Sequence, residues 1–238
     1  MTEKIQSPTE LHERAAALRN ADRPPVKLLV SMGTCGIAAG TTEVLKAIRS
    51  EVAERKLENA VEIVEVGCMG LCYAEPVIML LDRESGKRLI YGDVTPQQIP
   101  AILSAGTDAA APGTRTLERC WYYPETETPA PGELQARIVL RNTGCINPEN
   151  IDEYVMNDGY SALAKVLTEM TPEQVVKLIS DSGLRGRGGG GFPTGRKWSL
   201  AAAQPPGEKF IICNADEGDP GAFMDRAVLE GDPHSVLE

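Results

Sequence analysis

Residues 26–67, VKLLVSMGTCGIAAGTTEVLKAIRSEVAERKLENAVEIVEVG, place two short apolar runs either side of a helical pattern. VKLLVSMG is rich in Val and Leu and reads as a strand. TTEVLKAIRSEVAERK reads as a helix opening at a Thr cap, and VEIVEVG as a second strand. Further on, PVIMLL and KRLIYG flank a polar Ser-Gly turn and predict a hairpin, and TPQQIPAILS predicts a closing helix. The result is an α/β unit: a small sheet covered by helices.

Working outward, residues 8–19 (PTELHERAAALR) have a proline near the start and Leu11, Ala15 and Leu18 at helical spacing, so a leading helix is expected within residues 1–22, packed on the chain after it. The sheet unit occupies 23–105. From about Gly106 to residue 135 the composition shifts to Ala, Pro, Gly, Thr and Glu, as in a connector, and a second domain is expected over 136–238. That half opens with ARIVLRN as a predicted strand. YSALAKVLTEM and TPEQVVKLISDSG come next as predicted helices, the latter with a Thr-Pro start and a Gly stop. There is no internal repeat, which sets solenoids and propellers aside.

Bulk properties narrow the function classes. A formal charge of −10 gives no electrostatic reason to expect nucleic acid or an anionic membrane surface as partner. No run approaches the roughly 20 apolar residues of a spanning helix, and MTEKIQSPTELHER lacks the apolar core of a signal peptide, so a cytoplasmic protein without direct membrane insertion is expected. Six cysteines are too sparse for a disulfide scaffold and fit thiols in a reducing compartment, some of them on metal.

The segment SGLRGRGGGGFPTGRKW contains Gly-x-Gly-x-x-Gly at Gly186, Gly188 and Gly191. A dinucleotide-binding turn needs a strand before its first glycine, whereas VVKLISDSG reads as helix, so that match fails. A P-loop reading fails as well, because Arg196 stands where its lysine belongs. What remains is a run of four glycines exposing backbone N–H groups among Arg185, Arg187, Arg196 and Lys197, which suits phosphate better than it suits a flexible linker. Downstream, FIICNADEGDPGAFMDR begins as an apparent buried strand and ends with Asn214, Asp216, Glu217 and Asp219, groups able to bond the hydroxyls of a ribose or ribityl chain. The spacing does not follow a calcium loop of the EF-hand type.

Taken together, GLRGRGGGGFPTGRKW and ICNADEGDPGAFMDR closely resemble the flavoprotein subunit of complex I, and the same pair occurs in NAD(P)-linked hydrogenases and formate dehydrogenases. RIVLRNTGCINPENIDEYVMNDGYSALAKVL resembles the lead-in of that family, so the likeness spans about residues 136–238. It implies that Gly186, Arg187, Gly188, Lys197, Asn214, Asp216, Glu217 and Gly218 line an FMN site. It also implies that Gly189, Gly190, Phe192 and Asp219 face NAD(H). The implied chemistry is hydride transfer between nicotinamide and flavin, with single electrons passing to iron-sulfur clusters of partner subunits of a hydrogenase, formate dehydrogenase or complex I-like oxidoreductase. Leu200 stands where the family commonly has phenylalanine, which removes one aromatic wall for adenine. Family members continue with a second flavin-contacting segment and the cysteines of a [4Fe-4S] centre, expected only beyond residue 238, so the FMN-binding α/β domain here is read as incomplete.

VGCMGLCYAEP places Cys68 and Cys72 at Cys-x3-Cys spacing after a strand, and SMGTCGIAAG places Cys35 at the end of the first strand. The α/β order resembles the thioredoxin-like [2Fe-2S] ferredoxin domain, which implies Cys35, Cys68 and Cys72 as metal ligands. Such clusters use four thiolates. Ser31 stands where the fourth belongs, so a labile cluster and an empty site both stay open, and with them the alternative of a cofactor-poor docking subunit. A thioredoxin-type redox pair is disfavoured, since that chemistry uses Cys-x2-Cys. Cys120, Cys145 and Cys213 have no ligand spacing, Cys213 being read as a small buried strand residue. His12 and His234 are assigned only surface or packing roles. Trp121, Tyr122 and Tyr123 are candidate anchors in the connector.

Overall fold

The computed structural model describes residues 4–117 and 138–238. The leading helix α1 (Pro8–Asn20) is capped by Ser7, whose hydroxyl accepts from the Glu10 amide, and it buries Leu11 and Ala15. Strand β1 (Val26–Ser31) is followed by a short helix α2 (Thr34–Ala39), then α3 (Thr41–Glu54) and β2 (Val61–Val66). A 3-10 turn (Cys72–Ala74) leads into the hairpin β3 (Ile78–Asp82) and β4 (Arg88–Gly92). A second 3-10 turn (Pro96–Gln98) runs into α4 (Ile99–Ala105). The helix α2 is the one regular element of this region that the sequence did not suggest.

The sheet order is β2-β1-β3-β4 with a fifth strand, β5 (Arg115–Leu117), beside β4. β1 and β2 run parallel in register Val26 with Val61, as a right-handed crossover through helices requires, and the other pairs are antiparallel. β5 lies within the stretch read as connector, so that stretch contributes an edge strand. Alternate residues of β1 serve opposite faces. Leu28 and Val30 pack with Val44, Leu45, Ile48 and Val52 of α3 and with Ile99 and Ile102 of α4. Leu29 packs on the other face with Val64, Val66, Met79 and Ile90.

That other face is covered by the second half of the chain. Cys145 packs on it, and the buried Lys27 donates to the Cys145 carbonyl (3.1 Å) and pairs with Glu153 of α5 (Ile151–Met156) at 3.6 Å. Helices α6 (Ser161–Glu169), α7 (Pro172–Asp181), α8 (Thr194–Ala202), α9 (Met224–Gly231) and α10 (Pro233–Leu237) complete the order. α7 carries the foreseen start and stop: Thr171 and Gln174 form a capping box, and Gly183 adopts a left-handed φ of 68°. The leading helix packs on α5 and α6, with Leu11 and Ala15 against Val155 and Ala164, so its partner is the second half of the chain.

Two expected strands do not form. Of ARIVLRN, Ala136 and Arg137 lie outside the described residues and 138–142 are turn and bend, with Ile138 and Val139 exposed. FIIC forms no strand, and Phe210, Ile211 and Ile212 are 77%, 103% and 84% exposed. Apolar β-branched sequence sets a preference for extended backbone, but a strand exists only where another strand answers its hydrogen bonds, and none of the described strands lies beside this segment. Cys213, read as buried, is accordingly exposed. Cys120, Trp121, Tyr122 and Tyr123 lie outside the described residues. Among those residues no helix is long and apolar enough to cross a membrane.

Candidate functional site

At the end of β1 the chain turns through Met32 and Gly33 into α2, which puts Cys35 in that helix's first turn. The loop after β2 brings Cys68 alongside, and a Cβ at Gly33 would lie 2.9 Å from the Cys68 amide nitrogen, so only glycine permits this approach. Gly70 (φ 80°) then reverses the chain and its amide donates to Cys68 Sγ at 3.3 Å, returning Cys72 to the same spot. Cys35 Sγ and Cys72 Sγ each lie 3.4 Å from Cys68 Sγ, and all three sulfurs fall within 4.8 Å of one another.

Burial pushes the Cys35 and Cys68 thiols up, and the neighbouring sulfurs add to the effect for Cys35. Three thiolates this close are therefore unfavourable alone and become favourable around a cation. Ser31 does not join them. It is fully buried and its hydroxyl donates to Glu75 Oε1 at 2.6 Å, which commits its proton to a carboxylate. Glu75 Oε2 accepts from the Val77 amide (2.8 Å), and Oε1 lies 3.7 Å from Cys35 Sγ. Burial raises the Glu75 carboxyl above its ordinary range, against the hydrogen bonds from Ser31, Val77 and Cys35.

Helix α2 has Gly33 at its N-cap and no cap from its own segment. The cap comes from α9: Glu230 accepts from the Thr34 amide (3.2 Å) and the Thr34 hydroxyl (2.5 Å), next to Cys35. The second half of the chain thus touches the thiol loop directly.

The glycine-rich segment is a small hairpin. Gly186 N donates to Phe192 O (2.8 Å), Thr194 N to Leu184 O (2.9 Å), and Arg185 bridges to Pro193. The preceding element is helix α7, as the rejection of a dinucleotide-binding turn requires. Gly189 and Gly191 have φ of 94° and 58°, and added Cβ atoms at Gly188, Gly189 and Gly190 would meet nothing within 4 Å, so the loop is an open rim of backbone. Arg185 Nε is spent on Gly191 O (2.8 Å), and Arg196 lies over the Phe192 ring at 5.9 Å. Arg187 and Lys197 are exposed. Helix α8 begins behind the loop with Pro193 at its N-cap and no side-chain cap, and Gly195 lets it sit against Ser180 of α7.

In the acidic segment the Asp216 amide donates to Asn214 Oδ1 (3.1 Å), and Glu217, at φ 45°, accepts from the Asp225 and Arg226 amides (2.6 and 3.1 Å). Its carboxylate therefore caps α9 from outside. Asn214, Asp216, Gly218 and Asp219 line the rest of a largely open segment. Among the described residues no hydrogen bond joins this segment to the glycine-rich hairpin; each is organised by its own neighbours.

Residues 17–107 match the family of thioredoxin-like [2Fe-2S] ferredoxins, and residues 179–238 the Nuo51 FMN-binding domain. The chain is thus similar in succession to a thioredoxin-like ferredoxin and to part of a Nuo51 FMN-binding domain. Among curated relatives, the NADP-reducing hydrogenase subunit HndC of Solidesulfovibrio fructosivorans is 64% identical over 104 residues, 44% of this chain and 21% of the relative. The NADH-quinone oxidoreductase F subunit of Aquifex aeolicus is 53% identical over 106 residues, 44% of this chain and 24% of the relative. This chain thus spans under a quarter of their length. A thioredoxin-like [2Fe-2S] ferredoxin structure from Aquifex aeolicus aligns at 16% identity and a TM-score of 0.33, covering 42% of this chain and 99% of that one.

The sheet domain suits an iron-sulfur cluster in donor chemistry: soft thiolates from the start of α2 and the loop after β2, two half-buried and one exposed, gathered within 4.8 Å. The FMN-binding part offers an anion the open glycine rim, an uncapped helix start and two exposed cations. Sequence reasoning did not single out Glu75 or Glu230. The available signal for Glu75 was an acidic residue set between a cysteine loop and the apolar run PVIMLL; Glu230 resembles any exposed helix residue until α9 is placed.

Proposed function

We propose that this chain is the electron-input portion of a multisubunit oxidoreductase, in which NAD(H) exchanges hydride with FMN and single electrons leave through iron-sulfur centres to a hydrogenase, formate dehydrogenase or complex I-like partner. The names of the relatives support that class of activity. The observation that carries it is the gathering of Cys35, Cys68 and Cys72 within 4.8 Å in a polypeptide that also carries FMN-binding sequence. An eroded docking domain has no reason to keep three thiols converged. Six cysteines, too sparse for a disulfide scaffold, support a cytoplasmic setting.

In this reading the Gly188 amide, with Arg187 and Lys197, holds the flavin phosphate beside Gly186, whose own amide stays on the Phe192 carbonyl. Asn214, Asp216 and Gly218 hold the ribityl chain, with Glu217 between them, while Gly189, Gly190, Phe192 and Asp219 meet the nicotinamide nucleotide. FMN, when bound, supplies the step from two-electron to one-electron transfer. Because both Glu217 oxygens already cap α9, its part is to fix the tip of the acidic segment, leaving Asn214 and Asp216 to reach the ligand.

The test is FMN binding measured by flavin fluorescence quenching. Lys197→Ala and Arg187→Ala are each expected to weaken binding about tenfold or more, as loss of a charge-assisted phosphate contact costs about 1.5–3 kcal/mol. Wild-type affinity in both variants would remove the phosphate assignment, and a purified protein with neither flavin uptake nor a cluster spectrum would favour the docking alternative.

A further inference from the structure

The ferredoxin domain supplies three thiolates, and a [2Fe-2S] cluster requires four ligands, two per iron. Ser31 occupies the position where a fourth was sought, yet its hydroxyl donates to Glu75 and is buried against it. We propose that Glu75, held by Ser31 and the Val77 amide, is the fourth ligand, joining the three thiolates from the Cys35 side. The inference rests on the reading of residues 17–107 as a cluster-binding domain.

Distance places Glu75 beside Cys35. Tetrahedral bonds of about 2.3 Å to sulfur and about 2.0–2.2 Å to oxygen set two ligands on one metal roughly 3.5 Å apart. Glu75 Oε1 lies 3.7 Å from Cys35 Sγ, near that edge, and Cys68 Sγ lies 3.4 Å from both Cys35 Sγ and Cys72 Sγ. Glu75 is not a fourth member of the compact sulfur group, so its carboxylate stands off at least one of the other two sulfurs, on the Cys35 side.

The valences also close. A carboxylate oxygen has two acceptor positions, so Oε1 can keep the Ser31 hydrogen bond and bind iron with the other, while Oε2 stays on the Val77 amide. The three thiol protons leave to solvent as iron binds. Ser31 becomes a positioning residue, orienting the carboxylate without touching metal, in the manner of partners that orient metal ligands elsewhere.

The test is anaerobic reconstitution of the full chain with ferrous iron and sulfide, read as bound iron, labile sulfide and visible circular dichroism. Wild type is expected to take up about two irons and two sulfides. Glu75→Ala is expected to lose at least two thirds of that cluster, Glu75→Cys to restore it with an all-thiolate spectrum, and Ser31→Ala to retain most of it with faster loss to chelator. Far-UV circular dichroism of iron-free samples separates ligand loss from misfolding. A full cluster with an unchanged spectrum in Glu75→Ala overturns the ligand assignment alone. So does cluster loss in Ser31→Ala together with retention in Glu75→Ala, which would return the role to the serine. Absence of any cluster in wild type overturns both the cluster reading and the ligand.

Discussion

Lys27 shows how far a single residue can tie two parts of a chain together. It sits in β1, where its side chain reaches the half of the chain that covers the sheet, and its ammonium meets the Cys145 carbonyl and the Glu153 carboxylate with the two side chains only 8% and 7% exposed. Glu153 also accepts from the Asn147 amide (3.2 Å), so the charge pair fixes the course of the covering loop. Removing one partner strands the other in a poor solvent for charge. Lys27→Met is expected to lower unfolding free energy by ~3–5 kcal/mol, and Lys27→Met with Glu153→Leu to recover most of the loss, because replacing both ions by apolar groups is close to neutral. Urea unfolding of the three proteins measures this; equal losses in the single and double variants would show that no specific pairing exists. Nothing in the sequence marked Lys27 as special, since a lysine inside an apolar strand gives no sign of which distant carboxylate will meet it.

Among the elements, legibility depended on whether the stabilising partner was local. The capping box of Thr171 and Gln174 lies within four residues and was legible, as were the Ser-Gly hairpin and the cysteine spacing, because each is a short-range pattern. The failed strand at Phe210 and the unsuspected helix around Cys35 are the opposite case: pairing and capping there are settled by residues far away, Glu230 in the case of the helix. α9 is bracketed by two such carboxylates, Glu217 at its start and Glu230 reaching off its end to α2. Since Phe223 offers no cap of its own, Glu217→Ala is expected to cost about 1 kcal/mol in that helix. Amide hydrogen exchange should report it as faster exchange at Asp225 and Arg226, with Lys197→Ala leaving those amides unchanged. Unaltered protection in Glu217→Ala would instead leave that residue free for the ligand alone.

For the whole molecule, the two halves of the chain read as beads on a connector, yet the contacts interlock them: α1 joins α5 and α6, Lys27 joins Glu153, and α9 lies against the thiol loop. The tightest point of that interlock is backbone on backbone. A Cβ at Gly67 would stand 2.6 Å from Gly231 Cα, and one at Gly231 would stand 2.5 Å from Thr143 Cγ2, so neither position admits alanine without moving a helix. Gly67 immediately precedes Cys68, and Gly231 comes directly after Glu230, so this seam sets the distance between the cluster loop and the FMN-binding part. Gly67→Ala is expected to cost ~1–3 kcal/mol by overpacking. At this chain length that lowers the melting temperature by several degrees, since 1 kcal/mol shifts it by roughly 2–4 °C. Gly207→Ala, at an open site with ordinary φ, serves as the control and should stay within about 0.5 kcal/mol of wild type. If the halves fold as one unit, Gly67→Ala lowers a single transition and loosens the amides of α9 along with those of β2. A melting curve that matches the Gly207 control would mean that the seam is not closed in solution, and the direct contact between thiol loop and flavin-domain helix would go with it.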